Sequence, residues 1–542
     1  MVQILLRTRV MKRMRPAALL ISSMLGACVA PPVEAPQTTV EQQTNVSTAQ
    51  TIKNKVDLLF MVDNSFSMDA MQAELLAKFP SFLAAFDKLA HPTDGSTPQF
   101  PDLHIGVVTS DYGAGAAAGG GCDASPGGQK GLLQAVGAAA SPTCKPPTGK
   151  AYIQYAYGAN GDTCNLPGGC SSSNLGAQFT CAASVGSKGC GFEHQLESVY
   201  AALTTNNPTN ADFLRSDAIL AVVFVTNEDD SSAPPNVDFF SSDPNKVSQY
   251  GAYTTYRQTH YGIACGMPAV LTPEGASNGA LTCEAAPNTS AAMVGGEYDI
   301  SRYTDLFTTP GKLKANPATD VILVAIDAPT SPFETILAAT GTGNGKAPSP
   351  SYQACPTLGM NCIVALQHSC QNSVQPAFFG DPPLRLDAVV KSQKLNTSSN
   401  ICGEDQSMTP DYSASLAKVA GLIVSALKPS CLIAPLKTVA VNGSTRPDCV
   451  VQDVLGAQVT TLPYCPDASN TFPCWQEKEN AQCPKLCDPT TGKLVQPGIT
   501  IERNGMKAPD GDQANISCNT IALADQDPYA ACGGNPNADG GT

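Results

Sequence analysis

Three side chains in one short loop could hold a hard metal ion: Asp63, Ser65 and Ser67, in the run Asp63-Asn64-Ser65-Phe66-Ser67. One carboxylate and two hydroxyls at this spacing offer closely set oxygens, the ligand type that Mg²⁺ prefers while it keeps several waters. The same residues read equally as a helix cap, because Asp, Asn and Ser also bond free N–H groups at helix starts. What surrounds the loop bears on the choice. Before it, Val56-Asp-Leu-Leu-Phe-Met-Val62 is a strand-like apolar run. After it, Met68, Met71, Leu75, Phe79, Phe82, Phe86 and Leu89 recur in steps of three and four, which puts them on one face of a helix. Pro80 falls within that pattern and is expected to kink or divide the helix.

The strand, loop and helix together resemble the start of a von Willebrand factor A-type domain. In that family Asp-x-Ser-x-Ser opens a metal-ion-dependent adhesion site at the carboxyl edge of a doubly wound sheet. The resemblance implies a bound Mg²⁺ (or Ca²⁺ or Mn²⁺) with one position open to a carboxylate from a protein partner. It also implies a third ligand at the start of a later helix, where the family has Gly-x-Thr; Gly191-Phe192-Glu193 stands there instead. Glu193 is then a candidate ligand or simply a favourable charge near a helix N-terminus. The family's Thr-Asp-Gly corresponds to Thr226-Asn227-Glu228, so neutral Asn227 replaces the family's Asp: either Asn227 bonds a metal-bound water while Asp229 or Asp230 supplies charge, or the site has lost affinity.

Further apolar runs continue the pattern of strand and helix. Leu103–Asp111, Ala218–Thr226 and Asp320–Asp327 read as strands, the second continuous enough for the centre of a parallel sheet. Leu196, Val199, Tyr200 and Leu203 mark one helix. Leu416, Val419, Ile423 and Leu427 mark a last one, with Thr409 as N-cap and Pro410 at its first position. This alternation predicts an α/β fold, a doubly wound and mostly parallel sheet over residues 55–430, interrupted by long cysteine-rich insertions. Residues 431–542 crowd cysteines among short β-like runs and predict a small β-rich module.

Cysteine usage and the amino-terminal stretch indicate export. Arg7, Arg9, Lys12, Arg13 and Arg15 precede a short apolar run, and Leu25-Gly26-Ala27-Cys28 matches a lipobox. Cys28 is thus expected to carry lipid after cleavage of residues 1–28, with 29–54 as a flexible tether to an outer membrane. Setting Cys28 aside leaves 20 of the 21 cysteines, a count that fits disulfides in an oxidising compartment better than zinc knuckles.

Other classes are disfavoured. A net charge of −14 with 14% charged residues leaves no basic stripe for nucleic acid. The five histidines form no His-x-x-x-His pair, and Gly275-Ala276-Ser277-Asn278-Gly279 lacks the strand and helix a nucleophile elbow requires. The expectation is a binding protein that is not an enzyme. Its alternative is a metal-free structural protein of the envelope.

Overall fold

Strand β1 (Lys55–Val62) is central because both of its faces are apolar: from Val56 on, every residue is buried. In a computed structural model of the chain it lies within a seven-stranded sheet. The structure describes residues 42–49, 54–93, 98–114, 128–204, 208–234, 239–241, 243–246, 255–265, 283–285, 296–342, 351–355, 362–427, 435–441, 444–455, 458–467, 471–479, 485–488, 490–506, 513–521 and 532–533. The lipobox and Cys28 lie outside these residues.

The other strands are β2 (Asp102–Thr109), β3 (Ile153–Ala156), β4 (Thr163–Cys164), β5 (Ile219–Val225), β6 (Val321–Asp327) and β7 (Leu395–Asn400). Their spatial order is β7-β6-β5-β1-β2-β3-β4. Neighbours from β7 to β2 run parallel, and β3 and β4 close the far edge antiparallel. The order reverses at β1: the chain moves outward to β2 and later returns to β1's other side with β5. Helices cover both faces. On one, α1 (Asp69–Ala90), α2 (Ser172–Ala183) and α6 (Ser413–Leu427) bury Phe79, Phe179 and Val419 against Leu58, Phe60 and Val223. On the other, α3 (Gln195–Thr204), α4 (Ser301–Thr308) and α5 (Leu384–Ser392) bury Leu196, Tyr303 and Val389 against Met61 and Phe224.

Several expectations need correction. Pro80 does not divide α1, which runs unbroken through it. Proline removes the bond to the carbonyl of Leu76, but Pro80 sits on the exposed side, where water can serve that carbonyl, while Phe79 and Phe82 stay buried. The last helix starts at Ser413, so Thr409 and Pro410 belong to the preceding loop. Strand β7 was not foreseen: Leu-Asn-Thr-Ser-Ser-Asn is polar because it is an edge strand. Gln42–Ala49, inside the expected tether, is a strand paired antiparallel with Gln513–Thr520.

The oxidised state of the cysteines is borne out. Among the described residues seven bridges form: Cys144–Cys181, Cys164–Cys170, Cys355–Cys362, Cys370–Cys402, Cys449–Cys518, Cys465–Cys474 and Cys487–Cys532. The first two staple the segment between β2 and α3, and Cys370–Cys402 ties the loop before α5 to the end of β7. Past residue 435 the strands form small antiparallel sheets, the largest ordered Gln42–Ala49, Gln513–Thr520, Cys449–Leu455, Gln458–Thr461. Trp475, Val451 and Ile516 are buried together there.

Candidate metal centre

The carboxyl ends of β1 and β5 lie side by side where the strand order reverses, the place where open α/β sheets leave a crevice for ligands. Asp63 leaves β1 there and is fully buried, its N–H donating to the Val225 carbonyl at 2.9 Å. Its Oδ1 accepts from the Ser65 N–H (2.8 Å) and the Ser110 hydroxyl (2.8 Å), and its Oδ2 accepts from the Thr226 hydroxyl (2.8 Å). Burial pushes the Asp63 carboxyl up, against the lowering effect of these donors. The Ser65 hydroxyl also hydrogen-bonds this carboxyl.

The two serines do not cap α1. That helix begins at Asp69 behind Met68, and no side chain caps it. Instead the Ser65 and Ser67 hydroxyl oxygens lie 3.5 Å apart, and Ser67 donates to Asn227 Oδ1 at 3.0 Å. Adjacent oxygens on an octahedral ion with bonds of about 2.0–2.1 Å stand roughly 3 Å apart, so a small contraction would seat both hydroxyls on one cation. Asn227 is buried, and its Nδ2 has no hydrogen-bond partner among the described residues. The loop is braced from below: Gln72 Nε2 donates to the carbonyls of Asp63 (2.7 Å) and Gly186 (2.8 Å). Gly189 closes on it so tightly that a Cβ there would stand 2.3 Å from Asn64 Oδ1.

The acidic loop after β5 divides between two tasks. Asp229, expected to supply charge beside the ion, caps α5. It accepts from the N–H groups of Arg385 (3.0 Å) and Leu386 (3.1 Å), yet burial still pushes its carboxyl up to about 7. Asp230 caps α3, accepting from the Leu196 N–H at 2.9 Å. Both acids answer the positive end of a helix. Glu228 turns the other way. Burial, and then the negative charges of Glu193, Asp381 and Asp63, push its carboxyl well above the usual range, and it shares a hydrogen bond with Glu193. Glu193 therefore faces Glu228.

Sequence reasoning missed Ser110, Gln72, Gln195, Asp381 and His368. Ser110 ends the apolar run of β2 and was findable by its place, like Thr226 at the end of β5. Asp381 comes from far along the chain: its N–H donates to the Asn227 carbonyl (2.8 Å), and its Oδ1 lies 2.6 Å from His368 Nδ1. Among the described residues no three His, Cys, Asp or Glu side chains cluster so as to hold an ion by themselves. Asp63 would therefore share an ion with hydroxyl and amide oxygens.

His194, just ahead of α3, is fully buried against Tyr112 and Phe240, with Nδ1 2.9 Å from the Phe192 carbonyl. Burial lowers its pKa to about 4, although the Asp230 charge and the Phe192 carbonyl oppose this. Folding then favours neutral imidazole. Stability contributed by that preference is whole above the ordinary value of 6.5 and falls as pH drops from there to about 4. At about 1.4 kcal/mol per pH unit the loss comes to about 3 kcal/mol. His194→Phe keeps the ring packing and is expected to flatten this acid limb. Urea unfolding of both proteins between these pH values measures it, and the opposite slope from Asp229 cancels in the difference. Equal slopes in the two proteins would contradict the assignment.

No family model and no curated protein matches the chain. Among solved structures, it is similar to the pilus adhesin SpaC from Lactobacillus rhamnosus GG, with a TM-score of 0.25, 10% identity and coverage of 88% of this chain and 40% of that one. The pilus adhesin RrgA from Streptococcus pneumoniae gives a TM-score of 0.22 and 9% identity, covering 88% of this chain and 57% of its own. The chain thus spans less than two thirds of either adhesin, and likenesses this weak carry no argument about function. No helix among the described residues is long and apolar enough to cross a membrane.

Proposed function

We propose that this is a cation-dependent binding protein of the cell envelope, lipid-anchored at Cys28, with a von Willebrand A-like doubly wound domain as its binding unit. Asp63, Ser65 and Ser67 hold Mg²⁺, Ca²⁺ or Mn²⁺, and the ion takes a carboxylate from a protein partner. No bond is made or broken.

The observation that carries this reading is the meeting of the Asp63 carboxyl, the Ser65 and Ser67 hydroxyls and the buried amide of Asn227 at the sheet's switch point. Ser67 can donate or accept, so the Asn227 amide can turn either way, presenting Oδ1 to an ion or Nδ2 to an anion bound on it. The strand order supports the fold-level likeness. Phe66, between the two serines, is 41% exposed and gives an approaching partner an apolar rim. One feature favours a metal-free structural role: four internal donors already satisfy much of Asp63.

Calorimetric titration of Mg²⁺, Ca²⁺ and Mn²⁺ into the full chain decides between the readings. The native protein is expected to bind and Asp63→Ala to lose binding while keeping its circular dichroism. If the native chain takes up no cation at millimolar concentration while Asn227→Asp does, the fold has kept its shape without the ion and the proposal fails.

A further inference from the structure

A two-stranded ribbon near the end of the chain sorts its side chains by face. Cys474–Glu479 pairs antiparallel with Pro497–Glu502, which sets Cys474 opposite Glu502 and Gln476 opposite Thr500. Side chains alternate along a strand, so Trp475 enters the buried cluster while Cys474, Gln476, Lys478 and Glu502 share the other face. Past the ribbon, Asn504 and Gly505 take successive left-handed conformations, with φ of 51° and 78°, and turn the chain back beside that face. The result is a pocket of about 370 Å³, within the range of small-molecule sites. Its walls are the Cys465–Cys474 bridge, Phe472, Gln476, Glu502, Asn504 and Gly505.

Only some of its polar groups are engaged. Gln476 Nε2 (2.7 Å) and Lys478 Nζ (3.1 Å) both donate to Glu502 Oε1, and they hold its carboxyl below the usual range. Glu502 Oε2, Gln476 Oε1 and the side-chain amide of Asn504 have no hydrogen-bond partner among the described residues. Phe472 is 39% exposed, an apolar surface that the module's core leaves unused. Lys478 matches the charge of Glu502, so the pocket does not single out an ion. It offers open acceptor oxygens, one open NH₂ group and an aromatic ring. A pyranose is complementary to that set: hydroxyls that donate and accept surround its rim, and its C–H face packs on the electron-rich face of an aromatic ring.

We propose that this pocket binds a saccharide unit, with Phe472 against the C–H face of the sugar ring and Glu502, Gln476 and Asn504 bonding its hydroxyls. The site uses none of the residues around Asp63 and needs no cation, so it stands or falls separately from the metal centre.

The test applies the full chain to a dense array of glucose, galactose, mannose, N-acetylglucosamine and their short oligomers, where multivalency amplifies weak affinities. The best-retained saccharide is then titrated calorimetrically in free form, with and without EDTA, and is expected to bind equally in both. Phe472→Ala removes the stacking ring, and Glu502→Gln turns an acceptor oxygen into a donor at the same shape. Each is expected to weaken binding about tenfold. Both side chains reach solvent, so both variants are expected to keep their circular dichroism, and either one serves if the other does not fold. Retention of no saccharide on the array would overturn the inference. Native affinity in a folded variant would overturn it too, since the sugar would then sit elsewhere. Tighter, salt-sensitive uptake of Nα-acetyl-lysine amide than of any sugar would mark an ammonium site instead and would also overturn it.

Discussion

Asp57→Ala is expected to destabilise the protein by about 3–5 kcal/mol, the scale of breaking a buried ion pair from one side. Asp57 sits near the amino end of β1 with no exposed surface. Its Oδ1 accepts from Arg215 Nε at 2.7 Å and its Oδ2 from the Arg215 N–H at 2.7 Å. Lys314 Nζ, on a fully buried side chain, lies 3.3 Å from Oδ2 and also donates to the Arg215 carbonyl. Arg215 reaches on to Asp102 Oδ1 at 2.7 Å, which ties the starts of β1 and β2 to the turn before β5. Alanine removes the carboxylate that both cations share, deep in a low-dielectric region. Denaturant midpoints at unchanged slope measure the loss. A change under about 1 kcal/mol would mean that other groups already compensate these cations.

Phe60→Ala follows, also with an expected loss of about 3–5 kcal/mol from cavity formation. Phe60 lies mid-strand in β1, with its ring centroid 4.9 Å from Phe179 of α2, and 5.7 Å and 6.1 Å from Phe79 and Phe82 of α1. It thereby locks two helices onto the strand that delivers Asp63. Phe60→Leu, which leaves a smaller void, is expected to cost clearly less. Equal losses in the two variants would show that the site collapses around either side chain. Cation affinity is expected to weaken in the alanine variant as well, because α1 and β1 flank the ligand loop.

Why some of this could be read from the chain and some could not follows from where each signal is stored. The runs at Val56, Leu103, Ala218 and Asp320 became β1, β2, β5 and β6 because a strand buried on both faces must be apolar at every position. The stripes of α1 and α6 were legible for a similar reason, since one face of each is buried at helical spacing. Burial is written locally, residue by residue. Edge strands escape that rule: β7 is polar, and Gln42–Ala49 looked like a tether because its pairing partner lies hundreds of residues away.

The site divides along the same line. The sequence by itself determined that Asp63, Ser65 and Ser67 share a loop at a strand end, because their spacing is covalent. Only the tertiary structure decided which acids after β5 face that loop. Asp229 and Asp230 go to the N-termini of α5 and α3, Glu228 goes to Glu193, and Gln195 lies against Thr226. These choices depend on the direction from which separate helices approach one sheet edge. The bond from Thr226 to Asp63 spans 163 residues of chain, and local composition cannot encode it.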